Sequence, residues 1–285
     1  MSRHLPIAPQ RLAMSGLKRL VFNPDVPFEK QRARLRMATK ASGGGSEVTS
    51  VHVGGVRCDK FVPATLSSET VLVYVHGGGY CVGSPDLGRA LIASLAELLG
   101  LRALLVDYRL APEHPAPAAV DDVRAVLAAV GENVVTIGDS AGAGALVAAL
   151  QSQAARATVL ISPWLDLSVS HGDDLELVER DPVLSPEWLE MCAAAYAGVD
   201  RSNPLVSPLQ GELRLPPTML VGGTDDILNP DAGRLFQHLT DQSTPVVAHL
   251  VVSMWHDFAL SVGRLLAADT ARDAMAEFLS PHIVR

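Results

Sequence analysis

The sequence predicts an α/β protein: a mostly parallel sheet of eight strands, led in by an antiparallel hairpin and covered by helices on both faces. Two observations carry this. From Val71 onward, short continuous apolar runs alternate with helix-like segments, and strands buried on both faces read as unbroken apolar runs. Ahead of them, residues 48–53 and 56–62 alternate apolar and polar positions across Gly54-Gly55, the pattern of a hairpin.

The later strands are expected at 71–75, 103–106, 134–137, 158–161, 218–221 and 246–252, with helices near 86–99, 117–130, 141–154 and 230–241. Ser84-Pro85 and Asn229-Pro230 each put a capping side chain before a proline at the expected first helical position. Residues 1–40 carry helical periodicity rich in Arg and Lys, broken by Pro24 and Pro27, and Ser42-Gly43-Gly44-Gly45-Ser46 reads as a flexible connection. The rhythm lapses over 164–210, which is acidic and helix-prone, with Ser185-Pro186-Glu187-Trp188 opening one helix. The expected organisation is a core over 46–163 and 211–285, with a helical cap built from 1–45 and the insertion 164–210.

Composition narrows the function classes. With 48% hydrophobic and 19% charged residues the chain is globular, neither disordered nor fibrous. A net charge of −8 argues against nucleic acid and anionic membrane surfaces as partners. Cys58, Cys81 and Cys192 are an odd number at wide spacing, which gives neither a metal-ligand pair nor a disulfide framework; reduced thiols in a cytoplasmic protein are expected. The first residues lack the apolar core of about 7–15 residues that a signal peptide needs, and no uncharged run approaches the ~20 residues of a membrane span.

Two motifs bear chemistry. Gly138-Asp139-Ser140-Ala141-Gly142 follows the strand at 134–137 and opens a helix. In such a G-x-S-x-G turn the serine sits on a tight strand-to-helix corner where side chains on the glycines would clash, and its hydroxyl stands at the C-terminal edge of the sheet. His76-Gly77-Gly78-Gly79-Tyr80 follows the strand at 71–75. Acyl transfer builds negative charge on a carbonyl oxygen, and consecutive glycines let backbone N–H groups approach it closely. His76 itself is expected to brace that loop.

These motifs, together with Asp107-Tyr108-Arg109-Leu110-Ala111-Pro112-Glu113-His114-Pro115 and Pro117-Ala118-Ala119-Val120-Asp121-Asp122, resemble those of the bacterial hormone-sensitive-lipase-like esterases. The likeness runs from about residue 48 to the C-terminus. It implies an α/β-hydrolase core with a cap, no cofactor, and hydrolysis of small, short-chain carboxylic esters; no metal site is expected, and a homodimer stays open as a partner. It also implies oxyanion donors at Gly78, Gly79 and Ala141. Ala143 departs from the family's further glycine, a change expected to alter packing more than chemistry.

In this fold the triad runs Ser, then Asp or Glu, then His. After the strand at 218–221 come Asp225, Asp226 and Asp231. Asp231 falls in the first turn of a helix, where dipole placement explains it. The family's segment, an Asp shortly past the strand and before a Leu, aligns best with Asp225, the expected acid, with Asp226 as its rival. Among the nine histidines, His4, His52, His76 and His114 precede the serine, and His171 and His238 lie before the acid or within a helix. His249 falls mid-strand and His282 near the terminus. His256, in Met254-Trp255-His256-Asp257-Phe258, follows the last strand and matches the family's H-x-F segment. The expected mechanism has His256 take the Ser140 proton while Asp225 fixes the imidazole tautomer, with activity rising through about pH 6–7 as the imidazole becomes neutral.

Tyr80 and Trp164, each just beyond a strand, are expected pocket walls. Rival readings fare worse. Gly138, Gly142 and Gly144 superficially form a nucleotide-binding turn, but they lie mid-chain, and no tyrosine is followed by a lysine at the spacing of a short-chain dehydrogenase. A ligand-binding protein without turnover would not need a complete triad. Amides, lactones and longer lipids stay open as alternative substrates.

Overall fold

The computed structural model describes residues 4–41, 47–168 and 171–284; the expected connection at 42–46 lies outside the described residues. A hairpin of β1 (Thr49–Val53) and β2 (Val56–Phe61) closes on Gly54-Gly55, and β2 pairs antiparallel with β4 (Arg102–Val106). The rest is parallel: β4 beside β3 (Val71–Val75), then β5 (Val134–Asp139), β6 (Ala157–Ile161), β7 (Thr218–Asp225) and β8 (Val246–Trp255). The resulting order is β1-β2-β4-β3-β5-β6-β7-β8 in one eight-stranded sheet.

Every residue of β5 and β6 is buried, which is why these strands read as continuous apolar runs. The edge strand β8 instead leaves Val247, Leu250 and Val252 exposed. From β3 the chain steps one way to β4, through α3 (Arg89–Leu99). It then steps the other way through α4 (Ala118–Val130) to β5 and through α5 (Ser140–Leu150) to β6. Right-handed crossovers put α3 on one face and α4 with α5 on the other. α5 packs on α4, and the closing helix α9 (Leu266–Leu279) returns to α3. The direction of crossover reverses between β3 and β5, so a crevice opens at their C-terminal ends, the place where open α/β sheets bind ligands.

The two expected proline-linked caps fail. Ser84 precedes a short turn, α3 starts only at Arg89, and Ser84 makes no capping bond. Asn229 is already the first residue of α8 (Asn229–Asp241), because the turn before it is closed by Asp226, which accepts from Leu228 N through its side chain and from Asn229 N through its carbonyl. The N-terminal segment forms α1 (Ile7–Leu20) and α2 (Phe28–Ala41), separated at the two prolines. The insertion forms α6 (Leu175–Arg180) and α7 (Pro186–Ala197), the latter capped by Ser185 Oγ accepting from Trp188 N. These two parts grip one another. Trp188 Nε1 donates to Gln31 Oε1 (2.9 Å), and Phe22 meets the Trp188 ring edge-on at 5.0 Å.

α5 is buried along its whole length, and its small residues let it press against the end of β3. A Cβ on Gly142 would run into the carbonyl oxygens of Val75 and His76. Gly142→Ala is therefore expected to cost about 3 kcal/mol, the upper end for overpacking against unyielding atoms, as read from the urea midpoint. Ala143→Gly, one position on, should cost only the helix-propensity difference of about 1 kcal/mol.

Candidate active site

β5 ends at Asp139 and α5 begins at Ser140 with no residue between them. Making that corner forces Ser140 to φ 51°, a left-handed conformation that a non-glycine residue holds only where its surroundings impose it. The opposite wall of the crevice is the loop after β3. Gly78 at φ 114° and Gly79 at φ 59° carry the turn. The N–H of Gly77 donates to Asp139 Oδ2 (2.9 Å) and is thereby spent, which leaves Gly78 and Gly79, the expected oxyanion donors, in the loop beside Ser140. Ala141 lies in the first turn of α5, where an N–H has no carbonyl four residues back.

Asp139 ties the two walls together. It is fully buried, accepts Tyr74 OH at 2.6 Å as well as Gly77 N, and burial beside Asp257 pushes its carboxyl well above the usual range. His76 is buried and stacks on Tyr108 at 4.2 Å, with its Nδ1 2.7 Å from Gly77 O. Tyr108 OH donates to His76 O, and Ala111 N to Tyr80 O. The Tyr108–Pro115 stretch thus supports the glycine loop from behind, and Arg32 of α2 fastens both by donating to Cys81 O and to Glu113.

The acid is where sequence and structure part. Asp225, expected to orient the imidazole, faces away from it: its Oδ2 accepts from Arg11 at 2.9 Å and its Oδ1 lies 3.7 Å from Arg180 Nε. Asp226 lies 3.0 Å from His256 Nδ1 through Oδ1. The reason is the alternation of a strand. β7 extends through Asp225, so the next residue points to the other side, and that side is where His256 emerges after β8. Burial works to raise the Asp226 carboxyl, but the imidazolium and the Leu228 N–H hold it below its ordinary value.

Four further residues surround this dyad without having been singled out in the sequence. Asp257 Oδ2 stands 3.2 Å from His256 Nε2. Ser162 accepts Asp257 N–H at 3.0 Å. Asp181 is buried and accepts from Val183 N and Leu184 N through Oδ1 and from Ile227 N through Oδ2, joining the insertion to the acid loop. Burial and the nearby Asp226 push its carboxyl up to about 6. Arg11 bonds Asp225 and also the Arg180 carbonyl. Of these, only Asp257 adjoined a recognised residue in the sequence; the others become visible once the insertion folds over the sheet.

Burial alone would lower the pKa of His256, but the carboxylates of Asp257 and Asp226 outweigh it and hold the imidazole well above the ordinary histidine value. Of the expected pocket walls, Trp164 donates its backbone N–H to Ser140 O and lines a cavity of about 250 Å³ with Leu167, His171, Pro186 and Leu189. Tyr80 is buried, stacked on Tyr196 at 3.8 Å.

Comparison with known proteins agrees with this layout. A family model described as the alpha/beta hydrolase fold matches residues 72–260. An acetyl-hydrolase of Streptomyces hygroscopicus is 37% identical over 72% of this chain and 73% of its own length. An esterase of Acinetobacter venetianus is 31% identical over 81% of each. The crystal structure of an esterase from the bacterial hormone-sensitive lipase family superposes with a TM-score of 0.86 at 28% identity, covering 98% of this chain and all of that one.

Two outcomes are expected. Asp226→Asn should lower kcat by about 10³–10⁴-fold by leaving the imidazole in the wrong tautomer. Asp225→Asn should cost far less, since its partners are partly exposed arginines; steady-state kinetics of both variants decides between them. In wild type, kcat/KM should reach half its plateau above about pH 6.5, the unperturbed histidine value, because the base is freed only when the raised imidazole loses its proton.

Proposed function

Because the chain belongs to the alpha/beta hydrolase family, in its bacterial hormone-sensitive-lipase-like branch, we propose that it hydrolyses short-chain carboxylic esters through an acyl-enzyme on Ser140. The observation that carries this reading is the 3.0 Å contact of His256 Nδ1 with Asp226, at the same sheet edge as the strained Ser140 corner and the Gly78-Gly79 loop. His256 takes the Ser140 proton as Oγ attacks the ester carbonyl. Asp226 keeps the other ring nitrogen protonated and stabilises the imidazolium that results. The N–H groups of Gly78, Gly79 and Ala141 receive the oxyanion, each such donor contributing about 10²–10³ in rate. Collapse returns the proton to the departing alcohol, and water enters by the same base to release the acid.

The insertion and α1–α2 serve as a cap over this edge. The preference for short acyl groups rests on the likeness to short-chain esterases, since none of Ser140, His256, Gly78 and Gly79 lines the cavity beside Trp164. No helix among the described residues is long and apolar enough to cross a membrane. A cytoplasmic setting is favoured by the three buried, unpaired cysteines. A homodimer is favoured by the exposed apolar edge of β8, an antiparallel copy of which would satisfy its open backbone groups.

Hydrolysis of a p-nitrophenyl ester series by wild type and Ser140→Ala tests the reading. Rates are expected to peak at acetate to butyrate and to fall by about 10⁴–10⁶-fold in the variant. Equal rates for the two proteins would overturn the nucleophile, and a maximum at long chains would redirect the substrate class to lipids.

A further inference from the structure

His256 is held at both ends. Asp226 Oδ1 is 3.0 Å from Nδ1, and Asp257 Oδ2 is 3.2 Å from Nε2, the nitrogen a catalytic base must offer to the serine hydroxyl. Asp226 accepts from Nδ1 and Asp257 faces Nε2 as an ion pair, and two carboxylates so placed favour the imidazolium, with a proton on each nitrogen. With both protons in place it has no lone pair for Ser140.

Asp257 is not there as a loose surface rotamer. Its backbone sits at φ 56°, ψ 27°, a left-handed conformation that aspartate tolerates better than most residues. Its N–H donates to Ser162 Oγ at 3.0 Å, and its carbonyl accepts from Leu260 N at 3.0 Å, starting the short turn Phe258–Leu260. The side chain is 19% exposed, and its Oδ1 is buried with no hydrogen-bond partner. Among the described residues its one ion pair is with His256. The other ionisable groups facing the pair offer it no cation. Asp139 at the end of β5, Tyr74 on β3, Asp181 in the insertion and Asp226 after β7 are all acids. The nearby arginines, Arg11 and Arg180, are turned to Asp225.

We propose that Asp257 is a positioning residue that competes with Ser140 for Nε2 of His256, latching the base out of use until that nitrogen gives up its proton. The proton leaves to solvent and nothing else is transferred. Once Nε2 carries a lone pair, it and Oδ2 are two acceptors face to face, and their repulsion turns the ring's free nitrogen over to the serine hydroxyl. The latch therefore sets where on the pH scale the enzyme switches on. It rests on His256 being the base of the proposed ester hydrolysis.

The test is the pH dependence of kcat/KM toward p-nitrophenyl acetate for wild type and Asp257→Asn, a substitution that keeps the shape and tolerates the left-handed backbone. The acid limb of the variant is expected to move down by about 1–2 pH units, the shift produced by removing one adjacent opposite charge. A limb that stays in place in a folded variant overturns the latch. A second reading needs no activity: the His256 ring titration followed by NMR in Ser140→Ala and in Ser140→Ala with Asp257→Asn. The titration should fall by the same amount when Asp257 is neutralised, and coincident curves would defeat the proposal. If the wild type hydrolysed no ester, the function reading would fail by the first measurement while the second still decided whether Asp257 holds the imidazole.

Discussion

The close approach of α5 to the end of β3 governs the rest of the site. Gly142 lies against the carbonyls of Val75 and His76, and Asp139, one residue before Ser140, takes the N–H of Gly77 and the hydroxyl of Tyr74. These contacts leave little freedom in where the Gly78-Gly79 loop, the proposed oxyanion cradle, stands relative to Ser140. Oxyanion donors work because they need no reorganisation when charge appears. Here the backbone of one wall is bonded to a side chain of the other, so the alignment is a property of the core and not of a surface loop. The strain at Ser140 is held by the same packing, since α5 is buried throughout and cannot shift to relieve it.

A second constraint is electrostatic. Asp139, Asp181, Asp226 and Asp257 all act on the single imidazole of His256. Burial raises the cost of ionising each acid, and a like charge nearby raises it again. The chain resolves this unevenly. Asp226, bonded to the imidazole and to Leu228 N, stays ionised and its carboxyl is held low. Asp139 and Asp181 are pushed up, and their oxygens are met by Tyr74 and by backbone N–H groups in place of cations. The excess of acids is what holds the pKa of the His256 imidazole above the ordinary histidine value.

Much of this was legible in the sequence. The strand runs, the hairpin at Gly54-Gly55, the G-x-S-x-G corner and the glycine loop are local patterns, and local patterns survive folding when the core is built from them. The choice between Asp225 and Asp226 was not legible, because it turns on where β7 ends. The strand was read as stopping at Val221; it continues to Asp225, and one residue of register sends the side chain to Arg11 or to His256. A turn signal was present: Asp226 accepts the N–H of Leu228, two residues on, as aspartates do in tight turns. The same turn explains the failed cap at Asn229. Asp231 was read as a dipole partner, yet it is buried and accepts from Leu165 N and Asp166 N, bonds to a segment more than sixty residues away that no local pattern could announce.

That long-range bonding gives the cap its bearing on the chemistry. α1 reaches the acid loop through Arg11 and Asp225, and the insertion reaches it through Asp181 and Ile227 N, on either side of Asp226. Lys18 of α1 in turn donates to the Asp181 carbonyl, so the two parts of the cap are joined at the point where they touch the core. Hydrogen bonds to buried backbone donors are costly to break without replacement, about 1–3 kcal/mol for each group left bare. The insertion cannot leave the sheet edge while these bonds hold, because lifting it would uncover Ile227 N beside Asp226. The insertion and α1 are therefore tied to the loop that carries Asp226 from both sides. Through Ile227 N, Asp181 stands one residue from Asp226, which bonds His256 Nδ1.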